Sequence, residues 1–197
     1  MKKALYSLGL LLAVAGTAKA QTTTFGVKAG ASLSSVSGDN TENVKSIIGF
    51  VGGVAANFGF SDLLSLQPEL LYSMKGSKFE SAGLKAEGRT SYLDIPVLLK
   101  ANADGPFFEL GPQVGFLLSQ KTTKESNGRT TTSTDTEGTR QVDFGYVVGL
   151  GYQLESGLGI GLRYNGGIPD LSDPSEPGQK QRNSVFQLQL GYMFGGK

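Results

Sequence analysis

The sequence has no cysteine, no histidine and no tryptophan among its 197 residues. Each absence removes a class of chemistry. Without cysteine there is no disulfide framework, thiolate nucleophile, lipidated thiol or thiolate metal site. Without histidine there is no Ser-His-Asp triad, no imidazole zinc site and no histidine switch near neutral pH. A dominant charge sign is missing too: 18 basic and 17 acidic residues leave +1, so a basic nucleic-acid surface is not expected. Glycine is the excess, at 29 residues, about twice the usual share. It has no collagen period, and 39% hydrophobic residues with 18 Tyr and Phe are too many for a disordered chain. The mean hydropathy of −0.11 is that of an ordinary soluble protein, but it averages over very different segments.

The first segment reads as a targeting signal. Lys2 and Lys3 precede an apolar stretch from Ala4 to Gly16, and Ala18-Lys19-Ala20 has the small-x-small cleavage pattern. The stretch is too short for a spanning helix, which needs about 20 apolar residues. Cleavage after Ala20 makes residues 1–20 a signal peptide and leaves 21–197 as one barrel domain of 177 residues and net charge −2.

Period-two alternation dominates that domain. Eight segments carry it: Phe25–Ser34, Ile47–Phe58, Leu64–Lys75, Tyr92–Ala101, Phe107–Ser119, Val142–Leu154, Leu158–Asn165 and Ser184–Phe194. In Leu64–Lys75, for example, Leu64, Leu66, Leu70, Tyr72 and Met74 oppose Ser65, Gln67, Glu69, Ser73 and Lys75. Ile47–Phe58 is blurred, being apolar on both faces. Short connections at Gly59–Leu63, Asn102–Pro106 and Glu155–Gly157 alternate with long polar ones at Ser35–Ser46, Gly76–Ser91, Gln120–Gln141 and Gly166–Asn183. A meander puts the short turns at one end and the long loops at the other, the asymmetry of bacterial outer-membrane barrels. The expected fold is all-β, an eight-stranded antiparallel up-and-down transmembrane β-barrel with both termini on the short-turn, periplasmic side.

The alternative is a secreted lipocalin-like cup with its apolar face inward. Three features favour the membrane. The apolar parity carries no charge in any segment, whereas the other parity carries eight: Lys28, Glu69, Lys75, Asp94, Lys100, Glu109, Asp143 and Arg163. Thirteen of the 18 aromatics sit on the apolar parity, several near strand ends, where girdles meet the headgroups. Twelve of thirteen strand glycines share the charged parity, Gly52 being the exception; a crowded lumen has use for them. Pro68, Pro96 and Pro112 fall inside segments that should pair on both sides, so an interrupted ladder with a local bulge is expected at each.

Leu66-Gln67-Pro68-Glu69-Leu70-Leu71-Tyr72 and Tyr92-Leu93-Asp94-Ile95-Pro96-Val97-Leu98-Leu99-Lys100 resemble the shared core of the PorT-like outer-membrane β-barrel family of Bacteroidota. Glu109-Leu110-Gly111-Pro112, Asp143-Phe144-Gly145, Gly149-Leu150-Gly151-Tyr152 and Gly161-Leu162-Arg163-Tyr164 continue the resemblance in order. It implies an eight-stranded barrel in the cell outer membrane, and it makes the three prolines features of the fold. The namesake takes part in a secretion and gliding machinery.

The eight lumen-parity charges are four basic and four acidic. In a narrow barrel such charges must pair, so a structural salt-bridge network is expected, with Arg163, Lys100, Glu69 and Glu109 meeting. Charge balance argues against strong ion selectivity. No catalytic residue, cofactor or metal is expected: there is no base to activate a hydroxyl, and Gly157-Leu158-Gly159-Ile160-Gly161 has the wrong spacing for a nucleotide loop. Asp170, Asp173 and Glu176 fit no known calcium-loop spacing. Gln120–Gln141 holds ten Ser and Thr in 22 residues and reads as a polar surface loop suited to recognition. Tyr192 and Phe194 stand where the barrel-assembly machinery reads a C-terminal aromatic signal in outer-membrane barrels, although Gly195-Gly196-Lys197 follow. The expected partners are outer-membrane lipid, the assembly machinery and envelope or secretion proteins met through the loops, not nucleic acid. Passage of small solutes is the alternative function.

Overall fold

The computed structural model describes residues 22–38, 44–81, 84–126, 129–134, 141–168 and 181–195. The leader and the carboxylates Asp170, Asp173 and Glu176 lie outside the described residues. Nine strands follow in order: β1 (Thr22–Gly38), β2 (Val44–Gly59), β3 (Leu64–Ser81), β4 (Leu84–Asn102), β5 (Pro106–Ser126), β6 (Arg129–Ser133), β7 (Val142–Gln153), β8 (Leu158–Gly167) and β9 (Gln181–Phe194). Every pairing is antiparallel. β1 pairs with both β2 and β9, and β4 pairs with β5, so all strands except β6 close an eight-membered up-and-down ring.

The accessible surface inverts that of a soluble protein. Among the described residues 29 large hydrophobic side chains are exposed and nine hydrophobic residues are buried, against 16 buried polar or charged residues. Phe25 is 61% exposed and Ile48 72%, whereas Lys75 is 2% and Glu69 4% exposed. Water does not tolerate such a continuous apolar surface; hydrocarbon requires it. The lipocalin-like alternative, with its apolar face inward, is excluded. The blurred strand β2 keeps the rule, with Ile48, Phe50 and Val54 on the wall and Ile47, Val51 and Ala55 buried inside.

At the short-turn end the chain reverses tightly. Gly157 takes φ 90°, a conformation that side chains disfavour, and its N–H donates to the Leu154 carbonyl at 2.9 Å. In the β4–β5 turn, Asn102 Oδ1 accepts the Gly105 N–H at 3.3 Å.

The ladder does break at the three prolines, but without bulges. β2–β3 pairing stops between Ala55↔Glu69 and Phe58↔Leu66, leaving out Pro68. β3–β4 pairing stops between Pro68↔Val97 and Leu71↔Asp94, leaving out Pro96. β4–β5 pairing stops between Pro96↔Gln113 and Leu99↔Leu110, leaving out Pro112. Register is identical on both sides of each gap, so no residue is inserted. Residues of an antiparallel ladder address one neighbour at a time. Each proline lacks the N–H for that neighbour and stays paired on its other side, at Val97, Gln113 and Tyr146 respectively.

True bulges lie elsewhere. Between Ser46 and Val51, five steps along β2 face four along β3. Between Tyr92↔Leu117 and Ser91↔Ser119, β5 carries one extra residue, Leu118. Each reverses the in–out alternation beyond it.

The long connections are partly sheet. β3 and β4 run on as a hairpin through Ser77↔Gly88 to Ser81↔Leu84. β5 continues to Ser126 and pairs with β6 inside the segment read as a loop. These extensions are polar apart from a few residues such as Val44, Phe79 and Ala86, too few to make an apolar face, so alternation gave no sign of them.

Candidate functional site: the charged lumen

Each lumenal charge sits on a strand position whose neighbours point into lipid, so alternation alone directs it inward. The structure sorts the eight into two clusters and a single lysine. Arg163 on β8 is the centre of the first. Its Nη1 and Nη2 donate to both oxygens of Glu69 on β3, at 2.6 and 2.7 Å, and its Nε donates to Glu109 on β5. Lys28 on β1 reaches Glu69 at 2.6 Å and approaches Glu109 at 4.0 Å. Two cations and two carboxylates therefore neutralise one another across the barrel, and the bidentate fork is the geometry guanidinium favours. Gln67 adds a hydrogen bond to Glu69 at 2.7 Å, and Asn57 donates to Gln67 at 3.2 Å.

The second cluster lies nearer the long-loop end. Lys75 pairs with Asp94 at 3.0 Å and Asp143 at 3.6 Å. Ser73 donates to Asp94 at 2.5 Å and Asn183 to Asp143 at 2.9 Å. The ammonium also stands 4.4 Å from the centre of the Tyr92 ring.

Lys100 does not join Arg163, Glu69 and Glu109, as the alternation had suggested. Lys28 takes that place. Lys100 donates to Gln153 at 2.6 Å and lies 4.2 Å from the Phe107 ring centre; among the described residues it makes no ion pair. Ladder register does not decide this: Glu109 lies directly opposite Lys100 across the β4–β5 ladder, yet turns the other way across Gly149, which has no side chain to separate it from Arg163.

Glycine placement has two causes. A Cβ on Gly149 would stand 2.8 Å from Glu109 Oε1 and 2.9 Å from Arg163 Cγ, so this position does make room for the network. On Gly53, Gly111 and Gly30 a Cβ would instead meet a neighbouring carbonyl at 2.0 to 2.2 Å. There the glycine permits close backbone approach in a tightly curved sheet.

Between Lys28, Lys100, Phe107, Glu109 and Gln153 a cavity of about 30 Å³ remains, roughly one water's share of liquid volume. Glu109 Oε2, Asp143 Oδ1 and Asn165 Oδ1 are buried without a hydrogen-bond partner among the described residues. Inward-facing Gln113, Asn165, Gln187 and Gln189 are all buried, with Asn165 donating to Gln113 at 3.4 Å and Gln189 to Gln187 at 2.8 Å; they were not singled out from the sequence, although they share the parity of the charges. At the chain end, Tyr192 and Phe194 lie on the outer wall in edge-to-face contact at 5.2 Å, with Phe194 opposite Phe25 at the ring closure.

A family model described as outer membrane protein beta-barrel domain matches residues 19–173, and the chain belongs to that family. Neisserial surface protein A has a similar solved structure, with a TM-score of 0.53 and 12% identity over 88% of this chain and 99% of that one. The attachment invasion locus protein of Yersinia pestis is also similar, with a TM-score of 0.51 and 16% identity over 87% of this chain and 98% of that one. At these identities the likeness concerns the fold. No curated protein sequence matches this chain.

Proposed function

We propose that this outer-membrane barrel is a non-enzymatic anchor with a closed lumen, and that its long hairpins form an interaction surface outside the cell. The observation that carries this reading is the Arg163–Glu69–Glu109–Lys28 cluster. It joins β3 to β8 on opposite sides of the ring, with β1 and β5 as further anchors, and the space beside it is about 30 Å³. The hairpins supply the other half of the reading: β3, β4, β5 and β6 extend beyond the wall as a sheet with a rigid base, the arrangement on which recognition surfaces are commonly carried. A similar fold serves proteins described as a surface protein and an attachment protein, which is compatible with attachment here.

The purified protein in planar bilayers is expected to show no steady conductance of porin size. Stable open channels would overturn the closed-lumen reading and favour solute passage. A PorT-like place in a protein-secretion assembly rests on the motif resemblance. It predicts co-purification with other envelope proteins and a secretion defect on deletion; a deletion strain with normal secretion would remove it. In either role the termini are periplasmic, the leader is cleaved after Ala20, and Tyr192 with Phe194 presents the signal read at assembly.

A further inference from the structure

The two bulges turn two cations outward. By the alternation of their own strands below the bulges, Lys45 and Lys121 would face the lumen. Beyond the extra residue on β2, Lys45 faces outward instead, directly across from Lys78. Beyond Leu118 on β5, Lys121 faces outward, directly across from Arg89. Like charges on opposed positions of a ladder repel; Glu80 bridges Lys45 and Lys78, whereas among the described residues no carboxylate bridges Arg89 and Lys121.

The charges on this outer face are graded with height. The row nearest the wall is Gly76–Arg89–Lys121, with two cations and no carboxylate. The next holds Lys45, Lys78, Glu87 and Thr123. The furthest is Glu80–Lys85–Glu125, where carboxylates predominate. Just below the first row, Tyr72 Oη donates to Ser91 Oγ at 2.8 Å, and Tyr72 stacks on Phe50 at 5.3 Å. A tyrosine with an apolar body and a polar tip marks the edge of the hydrocarbon. Arg89 is two residues above Ser91, about 7 Å along the strand, which is within the headgroup layer. Glu87 engages Arg89 only through Nε, at 2.5 Å, so the guanidinium keeps donors for another acceptor. Lys121 makes no ion pair among the described residues.

We propose that Arg89 and Lys121 together bind a phosphate group on the anionic glycolipid of the outer leaflet, and so fix the barrel in its leaflet. The inference rests on the reading that the long hairpins lie outside the cell. An anion between the two cations relieves their repulsion and meets the bidentate preference of guanidinium.

The test uses the full mature protein in phosphatidylcholine nanodiscs doped with a phosphorylated glycolipid or its dephosphorylated counterpart. Native mass spectrometry counts the glycolipid retained. The wild type is expected to retain the phosphorylated form several-fold more. R89Q and K121Q are expected to lose that preference, whereas K124Q, which removes the same charge from the opposite face of β5, keeps it. Equal retention of both lipids by the wild type, or equal behaviour of K121Q and K124Q, overturns the site. Capture of inorganic phosphate by lipid-free protein in detergent overturns the lipid assignment. Orientation is read separately with T130C and a membrane-impermeant maleimide on intact cells, the chain having no other cysteine. Absent labelling with retained selectivity overturns the orientation; normal labelling with lost selectivity overturns the site alone.

Discussion

Arg163 shows what a single buried residue must do in this lumen. It serves two carboxylates that are themselves almost fully removed from water, so its loss leaves both short of compensation. Arg163→Met is expected to cost about 3–5 kcal/mol, read as a lower urea midpoint in micelles by circular dichroism; an unchanged midpoint would show that the cluster holds nothing together. Arg163→Lys keeps the charge but not the fork and should fall between. Outside the membrane, Glu80 accepts hydrogen bonds from Lys45 and Lys78, and these draw its carboxyl down to about 2. The stabilisation from this depressed group is present above the ordinary carboxylate range and is lost as pH falls towards about 2. A carbon-13 titration of Glu80 should show that low midpoint, moving upward in Lys45→Ala; an ordinary midpoint in the wild type would refute the arrangement. The sequence showed that eight charges face inward, because lipid forbids them on the other parity. It did not show their partners. Pairing depends on which side chains can meet across the ring, and the bare Gly149 between Glu109 and Arg163 turns Glu109 away from Lys100.

At the scale of strands, the three prolines form a diagonal line of openings across β2 to β5. Amides turned towards the gaps, those of Ala56, Glu69 and Val97, are expected to exchange with deuterium faster in micelles than Val27 or Leu188 in the closed β1–β9 ladder. Equal protection would mean that the gaps are closed in solution. The ladder breaks were legible because proline has no N–H to give. The absence of inserted residues was not, since a gap and a bulge leave the same mark on a sequence. The two real bulges were invisible for a different reason. They lie where the apolar code stops, at Ser46 and Leu118, so no alternation remained to reveal the reversal. The same loss of contrast concealed β6, whose five residues Arg-Thr-Thr-Thr-Ser are all exposed.

The whole molecule closes where its two end strands meet, with β1 against β9 from Phe25↔Phe194 to Gly38↔Gln181. Closure removes the sheet edge that hydrocarbon would penalise, and it places Tyr192 and Phe194 at the seam between the first and last strands. Deleting residues 194–197 is expected to reduce the folded population in the outer membrane, measured by the fraction migrating as compact barrel on unheated gels. Wild-type levels would remove the aromatic pair from any part in assembly. The ring itself was readable from the sequence because membrane, strand length and loop asymmetry all constrain one another. The height of the sheet above it was not, because water imposes no comparable constraint on strands outside the hydrocarbon. The bulges at Ser46 and Leu118 separate these two regimes. Below them a one-residue insertion would put charges into lipid; above them the alternation has already been reset. The bulges therefore work as splice points, at which a hairpin could be lengthened, shortened or exchanged for one from another barrel while the wall beneath kept its own phase. Chimaeras joined there should insert normally, and those joined a few residues lower should not.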